Sequence, residues 1–426
     1  MTFKIYTLGC KVNTYESNVI KDSLVNHGYE EVEEDIADTY IINTCTVTDT
    51  SAHKSLKVIR QCIRKNQNAI IVVCGCMTQV EPEKAKIEGV SILLGNRYKS
   101  QIASYIEQYK KTKEAIYMVD DIMNCPFESM KLNNFNHTRA FVKIEDGCEN
   151  YCSYCIIPYV RGKVRSKEPS LVIEEITHLV KQGHKEIVLT GIHTGHYGAD
   201  LGAYHFSNLL EDIVKIPGLE RLRISSIEIT EIEEDVLQVL KKSKIIVDHL
   251  HIPLQSGSNI ILKSMNRKYD KEYFMNKVNE IRAIRPNISL TTDLIVGFPG
   301  ETEELFQETV ETINTIRFSK IHVFPFSLRK GTKAEEIPNH IDEKAKKERV
   351  KVMMEISKKL EVEYMEKFLN QNIIFIPEKY QDGYLIGHTG NYLLIKALGK
   401  EDDIHKNIEV KINSIDYPYC IGEKSS

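Results

Sequence analysis

Apolar residues come in short runs along the first hundred positions, at residues 3–9, 40–43, 69–74 and 91–95. The segments between them, 15–26 and 52–65, repeat their apolar positions at the period of a helix. Such alternation predicts a small parallel α/β domain over residues 1–112. A polar stretch with Asn124-Cys-Pro-Phe then predicts a linker, 113–133. From 134 to 364 a strand-then-helix pattern repeats six times, with strands near 140–145, 186–193, 221–228, 249–255, 289–298 and 320–326. Six such units predict an open, partial (β/α)6 barrel whose functional residues gather at the C-terminal strand ends. A charged helix over 342–368 precedes short strands at 373–377, 383–388, 392–397 and 408–415, separated by Gly and Asn turns. This tail, 367–424, predicts a small β-barrel, and the fold class is α/β throughout the rest.

Composition narrows the chemistry. The chain of 426 residues is 42% hydrophobic and 27% charged, as in a folded protein, and no run approaches the roughly 20 apolar residues of a membrane span. The N-terminus shows neither a basic leader nor a cleavage site, so a cytoplasmic location is expected. In a reducing compartment the 10 cysteines are ligands or catalysts before they are disulfides. The formal charge of −4 gives no global sign of nucleic-acid binding, so any contact with RNA needs a local basic surface.

Gly147-Cys148-Glu-Asn-Tyr-Cys152-Ser-Tyr-Cys155 places three thiols within eight residues, just after the first strand of the barrel. A structural zinc or an electron-carrying cluster takes four protein ligands, whereas three leave one iron open to a substrate. S-adenosylmethionine, chelating through its amino and carboxylate groups, is the expected occupant. A zinc site with a distant fourth ligand is the alternative, although CxxxCxxC lacks the paired spacing usual for zinc. Tyr154 is placed to pack beside a nucleoside. Three strand-end loops are candidates to complete the pocket: Thr190-Gly191 with the residues to Gly195, Ser225-Ser226-Ile-Glu228, and Gly297-Phe-Pro-Gly-Glu301.

Cys10, Cys45 and Cys76 each follow an apolar run of the first domain. Parallel strands end on one edge, so these three can converge as a second three-thiol site. Cys74 competes for the third place, and inert buried thiols remain the alternative. Cys62, Cys125 and Cys420 are expected to be structural.

Taken in order, Gly9-Cys10, Asn43-Thr-Cys45, Gly75-Cys76, Arg139-Ala-Phe-Val-Lys-Ile-Glu-Asp-Gly-Cys148, Arg161-Gly162, His251-Ile-Pro-Leu-Gln-Ser-Gly257, Asn266-Arg-Lys-Tyr269 and Gly297-Phe-Pro-Gly-Glu301 resemble the methylthiotransferases of the radical S-adenosylmethionine superfamily. The resemblance spans nearly the whole chain. It implies a radical-SAM central barrel and a TRAM-like RNA-binding barrel at the C-terminus, where Gly387-His-Thr-Gly-Asn-Tyr-Leu-Leu-Ile395 is similar to its core strands. It implies two [4Fe-4S] clusters, one on Cys148, Cys152 and Cys155 and an auxiliary, sulfur-delivering one on Cys10, Cys45 and Cys76. Two S-adenosylmethionine molecules are then consumed per turnover. The strand-end loops are most similar to the branch acting on N6-threonylcarbamoyladenosine at position 37 of tRNA. Related branches modify isopentenyladenosine or a ribosomal-protein aspartate, and a non-enzymatic iron–sulfur or RNA-binding protein is the reading from another class. His193 stands where that pattern carries Asn. The implied partners are the tRNA anticodon stem-loop and an electron donor such as flavodoxin or ferredoxin.

For RNA, residues 50–80 contain no Asp or Glu, and Lys54, Lys57, Arg60 and Arg64 lie at helical spacing opposite Leu56, Ile59 and Ile63. Arg161, Lys163, Arg165 and Lys167 alternate, which predicts a second basic stripe on an extended segment. The tail carries acidic Glu401-Asp-Asp403, so Tyr384 and Tyr392 are its candidates for stacking on bases.

Overall fold

The computed structural model describes residues 1–34, 36–46, 49–132 and 138–424. The expected boundary between residues 133 and 134 lies outside them. Six strands, β1 (Thr2–Thr7), β2 (Glu30–Glu31), β3 (Thr39–Thr44), β4 (Ile70–Gly75), β5 (Ile92–Leu94) and β6 (Ile116–Met118), form one parallel sheet in the order β2-β1-β3-β4-β5-β6. Helices cover both faces, so β3 and β4 are buried at every position and read as unbroken apolar runs. Part of the expected linker belongs to this sheet as β6, and beyond it Met130 and Leu132 are buried in the core of the next domain. The segment is packed along the junction because its apolar side chains have cores to enter on both sides.

The central unit contains β7 (Arg139–Lys143), a two-stranded ribbon of β8 (Glu145–Asp146) and β9 (Arg165–Ser166), then β10 (Glu186–Thr190), β11 (Arg221–Ile224), β12 (His249–His251), β13 (Ser289–Val296) and β14 (Lys320–Pro325). Parallel pairing runs β7-β10-β11 and β12-β13-β14, and the bridges Leu222–Ile246 and Ser226–His251 join the halves into an open arc of six strands. Strand alternation sorts the two faces. Ala140, Val142, Ile187, Leu189, Leu222, Ile224, Leu250, Leu290 and Leu294 enter the apolar core beneath the surrounding helices. The other face carries Arg139, Glu186, Arg223, His249, His251, Thr291, Asp293 and His322 into the lumen, which is therefore polar.

The helix Glu343–Glu366 begins at Asp342, whose carboxylate accepts the N–H groups of Lys344 and Ala345 at 2.9 and 3.0 Å, satisfying donors that a helix start leaves open. It leads into a closed barrel of β15 (Asn372–Gln381), β16 (Tyr384–Thr389), β17 (Leu394–Leu398), β18 (Ile408–Asp416) and β19 (Tyr419–Lys424), in the order β15-β16-β17-β19-β18. The sequence pattern shows four of these strands. The fifth, β19, pairs with both β17 and β18 and completes the closure, which removes unpaired sheet edges.

Candidate active site

The three-cysteine loop leaves the barrel after β7 and is pinned at both ends by backbone contacts. Gly147 has φ +95°, and a Cβ there would lie 1.9 Å from the Lys163 carbonyl oxygen, so only glycine passes. Cys148 N–H donates to Gly162 O at 3.0 Å, Ser153 N–H to Met265 O at 3.0 Å, and Ala334 N–H to Ser153 O at 2.7 Å. Asn266, with φ 60°, donates from Nδ2 to Tyr151 O at 2.9 Å. Cys148, Cys152 and Cys155 are left half-buried and interact electrostatically with one another. Burial pushes the Cys155 thiol up to about 12 and raises Cys148 as well, a cost that cationic iron reverses by favouring the thiolate. Arg267 Nη1 donates to Cys152 Sγ at 3.3 Å and its other nitrogens reach Glu228 and the Tyr269 hydroxyl. Sequence reasoning quoted the motif that holds Arg267 but missed this contact, because nothing in the spacing links residue 267 to residue 152.

The pocket candidates divide. Thr190, Gly191, Ser226 and Glu228 sit at the C-terminal ends of β10 and β11, beside the cysteine loop, and Ser226 and Glu228 are accessible. A Cβ on Gly191 would lie 2.7 Å from Glu145 Oε2, so the backbone must stay bare there. Tyr154 packs edge-on to Phe298 at 6.4 Å in an apolar cluster with Ile261 and Met265, half-buried. Glu301 is a correction. It is 1% exposed, accepts Gly297 N–H at 2.7 Å and pairs with Arg349 at 2.7 Å. It shapes the loop from within and presents no open carboxylate, and the Gly297 N–H is used by the same contact. His193 is buried, stacks on His196 at 4.1 Å, and contacts Glu231 and Asn150. Burial lowers it to about 4 and raises Glu231 to about 7.

The N-terminal sheet brings its own three cysteines together. Cys10 opens the helix Lys11–Asn26 after β1, Cys45 follows β3, and Cys76 opens the helix Cys76–Val80 after β4, at neighbouring ends of adjacent parallel strands. Gly9 and Gly75 both have φ +109°, and a Cβ on Gly9 would come within 3.0 Å of Cys45 Sγ. Cys10 is exposed at this sheet edge and interacts electrostatically with Cys76. Cys74 is elsewhere. It lies in the apolar core with Phe3 and Ile92, its thiol pushed up to about 12 by burial. Cys62 and Cys420 are also core residues, and Cys125 is buried with Sγ directed at Ile122 O, 3.3 Å away. Among the described residues, only His193, His196 and Glu231 bring three ligating atoms within 4.8 Å of one another.

The segment that follows the first trio packs on the second. Cys76 packs against Ile156, the residue after Cys155, and against Val160. Asn96 Nδ2 donates to Val160 O at 2.7 Å and to Cys76 Sγ at 3.5 Å. Below them Arg161, wholly buried, donates to Glu16 at 2.7 Å, Asp146 at 3.2 Å and Asn13 Oδ1 at 2.8 Å. Lys143 pairs with the same two carboxylates at 2.8 and 2.7 Å, and Lys99 with Glu16. Burial opposes ionisation of both acids, but Arg161 and Lys143 overcome it, holding Glu16 well below its usual range and Asp146 down at about 2. Arg161 interacts electrostatically with Cys10 and Cys76, and its Nε has no acceptor among the described residues.

This network corrects the second basic stripe. Arg161 ends the helix Ile157–Arg161, Arg165 lies in β9 against Cys125, and Lys167 pairs with Glu175, so all three are buried and only Lys163 is exposed. The alternation serves buried carboxylates brought from other elements. Tyr392 is likewise wedged between His249 and His388, with ring centroids 4.7 and 4.5 Å away, and is no open platform for a base. By contrast Lys54, Lys57, Arg60 and Arg64 are all exposed on the helix Asp49–Lys65.

A barrel with a three-cysteine loop at its strand ends defines a radical S-adenosylmethionine protein, and the Radical SAM superfamily model matches residues 142–313. Residues 2–95 match the uncharacterized protein family UPF0004. The chain is 44% identical to the threonylcarbamoyladenosine tRNA methylthiotransferase MtaB of Bacillus subtilis over 99% of this chain and 96% of that one. It is 36% identical to the Thermotoga maritima protein of the same name, with 96% and 94% covered. The tRNA-2-methylthio-N(6)-dimethylallyladenosine synthase of Clostridium tetani is 37% identical, with 96% and 93% covered. The chain belongs to the radical S-adenosylmethionine methylthiotransferase family. Two solved structures share the fold: the radical S-adenosylmethionine methyltransferase TsrM from Kitasatospora setae, at TM-score 0.57 and 17% identity over 78% of this chain and 76% of that chain, and the cobalamin-dependent enzyme OxsB, at 0.53 and 13% over 85% and 56%. Among the described residues no helix is long and apolar enough to cross a membrane.

Proposed function

We propose that this chain transfers a methylthio group to C2 of N6-threonylcarbamoyladenosine at position 37 of tRNA. Cys148, Cys152 and Cys155 hold one [4Fe-4S] cluster, and Cys10, Cys45 and Cys76 hold the auxiliary one. The observation that carries this reading is the packing of Cys76 on Ile156, which sets a second cysteine trio against the first. The threonylcarbamoyl substituent is preferred to dimethylallyl because the relative with 44% identity is named for it.

When bound, the clusters supply the electron that cleaves S-adenosylmethionine and the sulfur that is transferred, at a cost of two S-adenosylmethionine molecules per turnover. The protein's part is positioning and charge. Gly147 lets the loop turn back on Lys163, and Asn266 holds its backbone, so the three thiols are presented together. Gly191, Ser226 and Glu228 form the wall for S-adenosylmethionine beside that loop, with Thr190 buried behind it, and Arg267 places a cation against both Glu228 and Cys152. Arg161 and its neighbours put buried positive charge beside the anionic auxiliary site. Lys54, Lys57, Arg60 and Arg64 bind the phosphates of the anticodon stem-loop. A flavodoxin or ferredoxin donates the electron, and the work is done in the cytoplasm.

The test is anaerobic reconstitution with iron and sulfide. About eight irons per chain are expected, with about four remaining in Cys148→Ala and about four in Cys10→Ala. Four irons in the unaltered chain would contradict the two-cluster reading. Incubation with S-adenosylmethionine and a chemical reductant yields 5′-deoxyadenosine only where the Cys148 site is intact.

A further inference from the structure

Charge collects at one further place in the lumen, on the floor of the barrel. Tyr392, in the turn between β16 and β17, enters there with φ 68° and its ring clamped by His249 and His388. The Arg139 and Arg223 guanidinium carbons lie 5.4 and 4.9 Å from the ring centroid. Both arginines already have partners: Arg139 pairs with Glu378 at 3.2 Å and Arg223 with Glu186 at 2.7 Å, although Arg223 Nη1 is buried without an acceptor among the described residues.

Lys11 is different. It is the first residue of the helix Lys11–Asn26 and follows Cys10 directly. Thr14, one turn on and on the same helix face, lines a cavity of about 570 Å³ together with Arg139, Glu378 and His388. Lys11 is accessible, and its ammonium makes no salt bridge or hydrogen bond among the described residues. The groups that act on it electrostatically include Tyr392, Arg139, Arg223 and Asp293, from the C-terminal barrel and from β7, β11 and β13, and His249 of β12. A side chain within range of all these reaches into the lumen. Asp293 lies 3.3 Å from His251, so the lysine has no acid of its own.

We propose that Lys11, backed by Arg223 and Tyr392, binds a carboxylate carried by the substrate base, the anionic end of an amino-acid-derived substituent at N6. This subsite rests on the N6-threonylcarbamoyladenosine reading above and supplies its physical basis. A base offered to the Cys10 site has its N6 substituent within reach of the four-carbon stem of the adjacent lysine. A cation with no acid of its own at a charged lumen favours an anion, and a dimethylallyl group would meet charged side chains where it needs apolar ones.

The experiment measures binding of full-length protein to three anticodon stem-loop RNAs of one sequence, carrying adenosine, N6-threonylcarbamoyladenosine or its methyl ester at position 37. The unaltered protein should prefer the free carboxylate to the ester and to adenosine by about tenfold, the contribution of one charge-assisted hydrogen bond. Lys11→Gln should lose that preference while binding the adenosine RNA within about twofold of the unaltered protein, and Lys11→Arg should keep it. If the unaltered protein prefers the threonylcarbamoyl RNA and Lys11→Gln prefers it equally, the subsite is wrong while the substrate reading stands. If the unaltered protein shows no preference for that RNA, the substrate reading fails as well.

Discussion

Replacing Arg161 with methionine removes a guanidinium from a site closed to water while keeping most of the stem volume. The group is wholly buried and binds Glu16 at 2.7 Å, Asp146 at 3.2 Å and Asn13 at 2.8 Å. Taking one partner from a buried ion pair costs about 3–5 kcal/mol when the remaining charge is stranded. Here neither acid is stranded. Glu16 keeps Lys99 and Lys143, and Asp146 keeps Lys143 at 2.7 Å and Arg165 at 3.7 Å. The expected loss at pH 7 is therefore smaller, about 2–3 kcal/mol. The pH dependence is fixed by sign. Burial works against the Asp146 carboxylate, yet Arg161, Lys143 and Arg165 hold it at about 2, below its ordinary 3.8. A folded pKa below the unfolded one gives stability that is complete above the unfolded value and drains away as pH falls towards 2, about 2 kcal/mol in all. In Arg161→Met the folded pKa of Asp146 rises towards 3.8, so the deficit of the variant is largest near neutrality and narrows below pH 4. Urea denaturation of the cluster-free chain, followed by circular dichroism at pH 7, 5 and 3, measures both features. A deficit under about 0.5 kcal/mol at pH 7, or one that widens on acidification, would refute the ion network as a stabilising joint between the domains.

Three further outcomes are expected. Gly147→Ala forces a Cβ to within 1.9 Å of Lys163 O at a φ of +95°, so the cysteine loop should fail to close and about half of the reconstituted iron should be lost, read by iron analysis. Reversing Lys54, Lys57, Arg60 and Arg64 to glutamate should weaken stem-loop RNA binding and flatten its dependence on the logarithm of salt by about 0.7–0.9 for each phosphate no longer neutralised, with unfolding unchanged. Arg267→Met removes the cation against Cys152 and Glu228, so S-adenosylmethionine affinity, measured by calorimetry on the reconstituted protein, should fall by about tenfold or more while the iron content holds.

What the sequence disclosed followed from regular geometry. Cys10, Cys45 and Cys76 were legible as a group because each sits just past an apolar run, and parallel strands align their ends. Cys148, Cys152 and Cys155 needed only local spacing. The basic alternation at 161–167 predicts a stripe facing solvent, and the fold turns it inward. Past Gly162 the segment is indeed extended, with Arg165 in β9, but the acids that bind these cations, Glu16, Asp146 and Glu175, come from other elements and bury them. Tyr392 misled for a related reason: its exposure depends on His249 and His388, brought together only by docking the C-terminal barrel on the central one. Glu301 looked available in a glycine-rich turn, but Arg349, from the helix Glu343–Glu366, claims it.

The central claim is the reaction itself, and nucleoside mass spectrometry of tRNA tests it most directly. In a bacterial strain that makes N6-threonylcarbamoyladenosine but lacks its own tRNA methylthiotransferases, expression of this chain should produce the 2-methylthio derivative. The Cys148→Ala and Cys10→Ala variants should each leave the threonylcarbamoyl nucleoside unmodified. Absence of the 2-methylthio product with the unaltered chain present and carrying both clusters, or its formation by either variant, would contradict the account.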